Sequence, residues 1–200
     1  SQAALRAVAR GQAHIAGTHL WDPESGEYNV PAVRRELGGR EVVMVTLSHW
    51  LEGLGVAPGN PRPIRELADL AQPGVTIVNR ETGSGSRLVL DTLLARQGLE
   101  PGSLRGYERE LRGHRAVAEA VRNGFADCGP IVFPVARLHG LDFVPLLEER
   151  YDLVIPVEFL DLPLVRDLLE VITSRVFRRQ LAAAGYDVRE SGRRAARLSL

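Results

Sequence analysis

The chain contains no lysine; every basic side chain in it is an arginine. That absence excludes a nucleotide P-loop, whose Gly-x-x-x-x-Gly-Lys-Ser/Thr pattern needs an ammonium group. The arginines are scattered along the chain, so genome composition accounts for them better than a phosphate-binding patch does. Cysteine is nearly absent too. Cys128 alone can form neither an internal disulfide nor a cysteine metal cluster, and its apolar surroundings predict a small buried core residue. Formal net charge is zero, so no general pull toward nucleic acid or membrane is expected. No apolar run approaches membrane-spanning length. The opening "SQAALRAVARGQ" lacks the apolar core of a signal peptide. These absences predict a cytoplasmic protein with no membrane contact and no nucleic-acid contact by this chain itself. His14, His19, His49, His114 and His139 fall too far apart for metal-ligand spacing, so neither a metal site nor a resident cofactor is expected.

What is present is an alternation. Two hundred residues suit one large domain or two small lobes. Apolar runs such as "AHIAG" (13–17), "EVVMVTL" (41–47), "GVTIVN" (74–79), "DFVPL" (142–146) and "YDLVIP" (151–156) read as strands. Between them lie helical patterns: 5–9, 88–97, 114–123 and a pair from Leu162 to Ala184 broken near Thr173-Ser174, where a hydroxyl can cap. Pro63 is placed to open a further helix. Such alternation predicts an α/β fold with mainly parallel sheets. The tail "ESGRRAARLSL" has little apolar periodicity and is expected to fray or form a peripheral helix.

One stretch points to chemistry. In "NRETGSGSRLVLDTLL" a glycine–serine turn joins a strand to a helix. The first amides of a helix lack internal acceptors, and its dipole favours negative charge there. Gly83 and Gly85 let the backbone approach a ligand. Thr82, Ser84 and Ser86 add hydroxyls, and Arg87 can add charge or brace the loop. A plain helix cap would need only Ser84 or Ser86. A second stretch, "GTHLWDPESGEYN" (17–29), leaves a strand at the end where α/β sheets bind ligands, and offers Thr18 and His19. His19 could equally pin its own loop. His114 opens a helix, where it can cap or face a cleft. The carboxylate pairs Glu108/Glu110 and Glu148-Glu149 read as solvated faces. No catalytic triad or activated nucleophile stands out.

Taken in order, "GTHLWDPESGEYN", "GLGVAPGNP", "VNRETGSGSRLVLDTLL", "GHRAVAEAVRNGFADCG" and "LDFVPLLEERYDLVIP" resemble the periplasmic-binding-protein-like domain found behind helix-turn-helix regulators and in some molybdopterin-biosynthesis proteins. The resemblance, which reaches to about Gly192, extends more distantly to the molybdate- and tungstate-binding proteins of transport systems. It implies a two-lobed type II fold, with residues 1–57 plus 149–200 in one lobe and 58–148 in the other. It implies ligand contacts from Ser1, Thr18, His19, Thr82, Gly83, Ser84, Ser86, Arg87, Gly129 and Tyr151, with Gly129 ending the strand "ADCG". The family begins with a strand, a helix and a second strand before the position of Ser1. The first lobe is therefore expected to lack its N-terminal strands, as a fragment or as a lobe completed by another chain. An exposed sheet edge would then favour a homodimer.

The resulting expectation is a non-enzymatic sensor domain that clamps a small oxyanion, molybdate or tungstate, in a transcriptional regulator or molybdenum-cofactor protein. A fused or partner helix-turn-helix or molybdopterin-biosynthesis domain belongs to that expectation. The rivals are a pocket for an organic effector, an enzyme on a phosphorylated substrate with His19 or His114 as base, and an interaction module with a vestigial cleft.

Overall fold

The computed structural model describes residues 1–199. In chain order the helices and strands are α1 (Gln2–Ala9), β1 (Ala16–Thr18), α2 (Val30–Glu36), β2 (Val42–Val56), β3 (Asn79–Arg80), α3 (Gly85–Arg96), β4 (Glu110–Leu111), α4 (Gly113–Arg122), β5 (Cys128–Val132), α5 (Phe133–Leu138), β6 (Asp142–Pro156), α6 (Pro163–Thr173), α7 (Arg175–Ala184) and β7 (Arg194–Leu198). The chain divides into two compact units. The first holds Ser1–His49 and Glu149–Leu200; the second holds Trp50–Glu148. The first segment thus ends at His49, whereas the sequence reading carried it to residue 57; β2 runs unbroken through both positions.

In the first unit, β6 pairs with β1 (Ala16 opposite Val154) and β2 pairs with β7 (Val42 opposite Leu198). Side chains alternate across a strand. Val42 and Met44 therefore pack with Leu5, Val8, Val33 and Leu37, while Val43 and Val45 pack with Ile155 and Val165 on the opposite face. Burial on both faces explains why "EVVMVTL" is apolar throughout rather than alternating. The predicted break between the last two helices is present: the Ser174 hydroxyl accepts from the Phe177 amide at 3.2 Å. The tail differs from expectation. It forms β7, with Ala196 and Leu198 turned to the core and Arg197 paired outward to Glu41. Two small apolar side chains are too thin a pattern to announce a strand. Leu200, the end of that tail, lies outside the described residues.

In the second unit, β2 pairs with β5, from Glu52 opposite Val132 to Val56 opposite Cys128. One core layer gathers Leu54, Ile64, Leu67, Ile77, Leu90 and Leu94. Another gathers Val78, Val117, Val121, Ile131 and Ala136. Cys128 is fully buried, and burial drives its thiol pKa upward. Pro63 does not open a helix. A 3-10 turn at Leu67–Ala71 follows instead, capped reciprocally by Glu66 and Asp69.

The α/β class holds, but the expectation of mainly parallel sheets does not. The β1–β6, β2–β7 and β2–β5 pairings are all antiparallel. The β3–β4 pair and the isolated Ile77–Cys128 bridge are parallel. Alternation implies parallel crossovers only when each apolar run is a separate strand. Here "EVVMVTL" merges with "GLGV" into β2, and "DFVPL" merges with "YDLVIP" into β6; each becomes a strand of 15 residues.

Candidate functional site

The glycine–serine turn folds as its residue types dictate. Gly83 adopts φ 88°, a conformation that L side chains rarely reach. Ser84 is the N-cap of α3, and its Oγ accepts from the Arg87 amide at 3.3 Å. Its own amide donates to the Glu81 carbonyl at 3.1 Å. Among the described residues, the amides of Gly83, Gly85 and Ser86 are left without an acceptor. With the dipole of a 12-residue helix behind them, three open amides present the kind of donors that hold anions at helix N-termini.

The side chains around that turn are already committed. Thr82 donates its hydroxyl to Glu110 Oε1 at 2.5 Å and its amide to Oε2 at 3.2 Å. Those bonds, the hydroxyl foremost, hold the Glu110 carboxyl below its ordinary pKa. Arg87 braces rather than projects. Its Nε reaches both Asp91 oxygens at 3.0 and 3.1 Å, its terminal nitrogen meets the Arg80 carbonyl at 3.4 Å, and its guanidinium lies 4.1 Å from the Tyr107 ring centre. Tyr107 in turn donates its hydroxyl to Asp91. Ser86 is buried, and its Oγ accepts from Arg80 at 3.4 Å. Arg80 also grips Glu81 through Nε at 2.8 Å and a terminal nitrogen at 3.1 Å. That pairing is the main cause of a Glu81 pKa of about 2. Glu81, Thr82, Glu110 and Arg112 line a depression of about 530 Å³.

The first unit brings the other predicted residues together. The His19 amide donates to Ser1 Oγ at 3.2 Å. The His19 ring stacks on Tyr151, centroids 5.8 Å apart, and its Nδ1 lies 3.3 Å from Glu149 Oε2. Tyr151 explains Gly17: a Cβ there would fall 1.9 Å from the tyrosine hydroxyl. Burial raises the Tyr151 pKa. Thr18 is fully buried and gives its hydroxyl proton to Asn29 Oδ1 at 3.1 Å. Asn29 donates to Asp152 at 2.8 Å, and Asp152 also accepts from Thr46 and from Arg150 Nε, both at 2.9 Å. The network contains Asn29 at φ 66° and engages the buried Thr18 hydroxyl.

Three readings are corrected. Gly129 does not end a strand; it lies inside β5 opposite Gly55. A Cβ there would come within 2.5 Å of Val117 Cγ1 and 2.8 Å of the Val78 carbonyl, so packing demands the glycine. His114 does not cap α4, whose N-cap is Arg112. Glu110 is not simply solvated but tied to Thr82. Sequence reasoning also passed over Asn29, Asp152 and Tyr107. Asn29 just before Val30-Pro31 is a helix-start signal that could have drawn attention.

The model of the PBP superfamily domain matches residues 1–173. The chain belongs to the PBP superfamily. This PBP domain is 34% identical over 185 residues to the uncharacterized protein YvgK of Bacillus subtilis (strain 168), covering 92% of this chain and 59% of that protein. It thus spans about three fifths of that relative's length. Among solved structures, it superposes with TM-score 0.67 on a substrate-binding protein assigned to a phosphate ABC transporter, with bound phosphate, from Clostridium perfringens. Identity is 14%, over 94% of this chain and 84% of that one. The substrate-binding domain assigned to a molybdenum ABC transporter of Clostridium difficile gives TM-score 0.60 at 14% identity, over 94% and 82% of the two chains. At such identities the likeness is one of fold.

Proposed function

We propose that this PBP domain binds a small oxyanion, molybdate or tungstate foremost, and carries out no reaction on it. The observation that carries the reading is the run of open amides at Gly83, Gly85 and Ser86 on the N-terminus of α3. A permanently charged oxyanion is held by directed neutral donors and a helix end without a matched cation. That suits a turn whose arginine, Arg87, is engaged elsewhere. The Ser84 oxygen accepts from Arg87, which leaves its proton for a ligand. Two proteins of the same fold are described by phosphate and molybdenum transport; phosphate is a tetrahedral oxyanion, and molybdenum forms one as molybdate. A sensor role, a cytoplasmic location and a helix-turn-helix or molybdopterin-biosynthesis domain elsewhere in the assembly complete the proposal.

One observation favours a second reading. Thr82 already holds a carboxylate, that of Glu110, so a small organic acid is the alternative ligand.

Calorimetric titration with molybdate, tungstate, sulfate and phosphate tests the first reading. Selective binding of molybdate or tungstate is expected, weakened about tenfold by Ser84→Ala through loss of one hydrogen bond to a charged group. Silence from all four, with heat from a short carboxylate, would replace it with the second.

A further inference from the structure

The depression beside the turn is lined by two carboxylates and one guanidinium, an odd wall for a site that takes anions. The two carboxylates differ. Glu81 is gripped by Arg80 through two nitrogens and by the Gly113 amide at 3.2 Å, so its charge is matched in place. Glu110 has no such fork. Its contact with Arg87 is 3.5 Å long, and Arg87 is mainly engaged by Asp91 and Tyr107. What holds Glu110 is Thr82, through its hydroxyl and its amide. These are donors that an oxyanion on the same turn would use.

Resting on the oxyanion-binding reading, we infer that Glu110 is an internal competitor for the turn, whose carboxylate occupies the Thr82 donors until a ligand displaces it. An incoming oxyanion must either take the Thr82 hydroxyl and amide from Glu110 or sit on the remaining amides beside the Glu110 charge, which the 3.5 Å contact with Arg87 only partly offsets. Both routes weaken anion binding. Glu110 therefore sets how strong an anion must be to occupy the turn: weakly held anions lose to the tethered carboxylate, and multiply charged ones displace it. Other charged groups beside it are Arg87 and Glu81, with Arg112 lining the same depression. Among the described residues, only Glu110 holds both Thr82 donors.

The test compares the wild-type chain with Glu110→Gln, Glu110→Ala and Glu108→Gln. Glu108 is exposed two residues away, so its variant removes the same charge without touching Thr82. Each protein is titrated with tungstate, molybdate, sulfate and phosphate by calorimetry. The Thr82 amide resonance is followed without ligand to show that its contact has changed. Removing a like charge at a few ångströms in a partly solvated site should tighten tungstate binding about tenfold in both Glu110 variants. Glu108→Gln should stay within about twofold of wild type, as a screened surface charge. Wild-type binding that is unchanged or weaker in both Glu110 variants would overturn the competitor role and leave the oxyanion reading standing. Equal tightening by Glu108→Gln would overturn it as well, since net charge alone would explain the gain. Absence of binding by all four proteins would overturn the oxyanion reading and the competitor with it.

Discussion

Two polar constellations in this molecule use similar residue types to opposite ends. In the first unit, Thr18, Asn29, Thr46, Arg150 and Asp152 form a network in which Thr18, Asn29 and Asp152 are fully buried and bonded to one another. In the second, Thr82, Ser84, Ser86, Arg80, Arg87, Glu81 and Glu110 surround a turn that keeps three amides open. A satisfied buried network rigidifies a fold. A half-open one at a helix N-terminus offers donors to a ligand. Chemical type did not separate them; burial and closure did.

The largest effect should follow from opening the closed network. Asp152→Ala leaves the buried Asn29 and Thr46 without their acceptor and the half-buried Arg150 without its carboxylate, and removing one partner of a buried charged set costs about 3–5 kcal/mol. A urea midpoint measured by fluorescence would report it. A loss under about 1 kcal/mol, well short of that range, would mean that the network is not what holds this unit. Thr18→Val is a smaller cut. It removes one donor to Asn29, which still accepts from the Leu20 amide at 2.7 Å, so about 1 kcal/mol is expected. Anion affinity should not change. Reduced affinity at unchanged stability would erase the contrast drawn between the two constellations. The smallest effect belongs to Glu81. Its pKa falls from 4.5 to about 2, held chiefly by Arg80. A depressed carboxylate contributes stability that is complete above its unfolded pKa and lost as pH falls through the folded one. Stability should therefore decline between about pH 5 and pH 2. Glu81→Gln should flatten that decline by less than about 1 kcal/mol, because the side chain is partly solvated and screened. A steeper pH dependence in Glu81→Gln would reverse the sign assigned to the pair.

Legibility in the sequence followed locality. The turn before α3 was readable because Gly83 and Ser84 specify a positive φ and a cap within a few residues. The break at Ser174 was readable for the same reason. The family itself was legible from the order of five stretches, and the superfamily match over residues 1–173 agrees. The long strands were not. β2 carries buried Ser48, His49 and Glu52 in its middle, and β6 carries "EERY" in its middle; a local pattern reads such polar runs as turns. His49 is accommodated by Glu190 at 2.9 Å, 141 residues on, a partner no window could supply. Glu110 hides similarly, since the residue that restrains it, Thr82, lies 28 positions upstream. The partners of Thr18 are also remote: Asn29 lies 11 positions on, and Asp152, which Asn29 bonds, lies 123 positions beyond that. The packing that requires glycine at position 129 comes from Val117 and Val78, 12 and 51 positions away and outside any local pattern.

In the proposed function, the turn Thr82–Ser86 receives an oxyanion on its open amides. The most direct test is an amide proton–nitrogen correlation spectrum of the labelled chain, recorded during titration with tungstate. Saturable shifts led by Gly83, Gly85 and Ser86 are expected, with Thr82 moving as Glu110 is displaced. Saturable binding that leaves those amides unmoved, or no saturable shift anywhere, would contradict it.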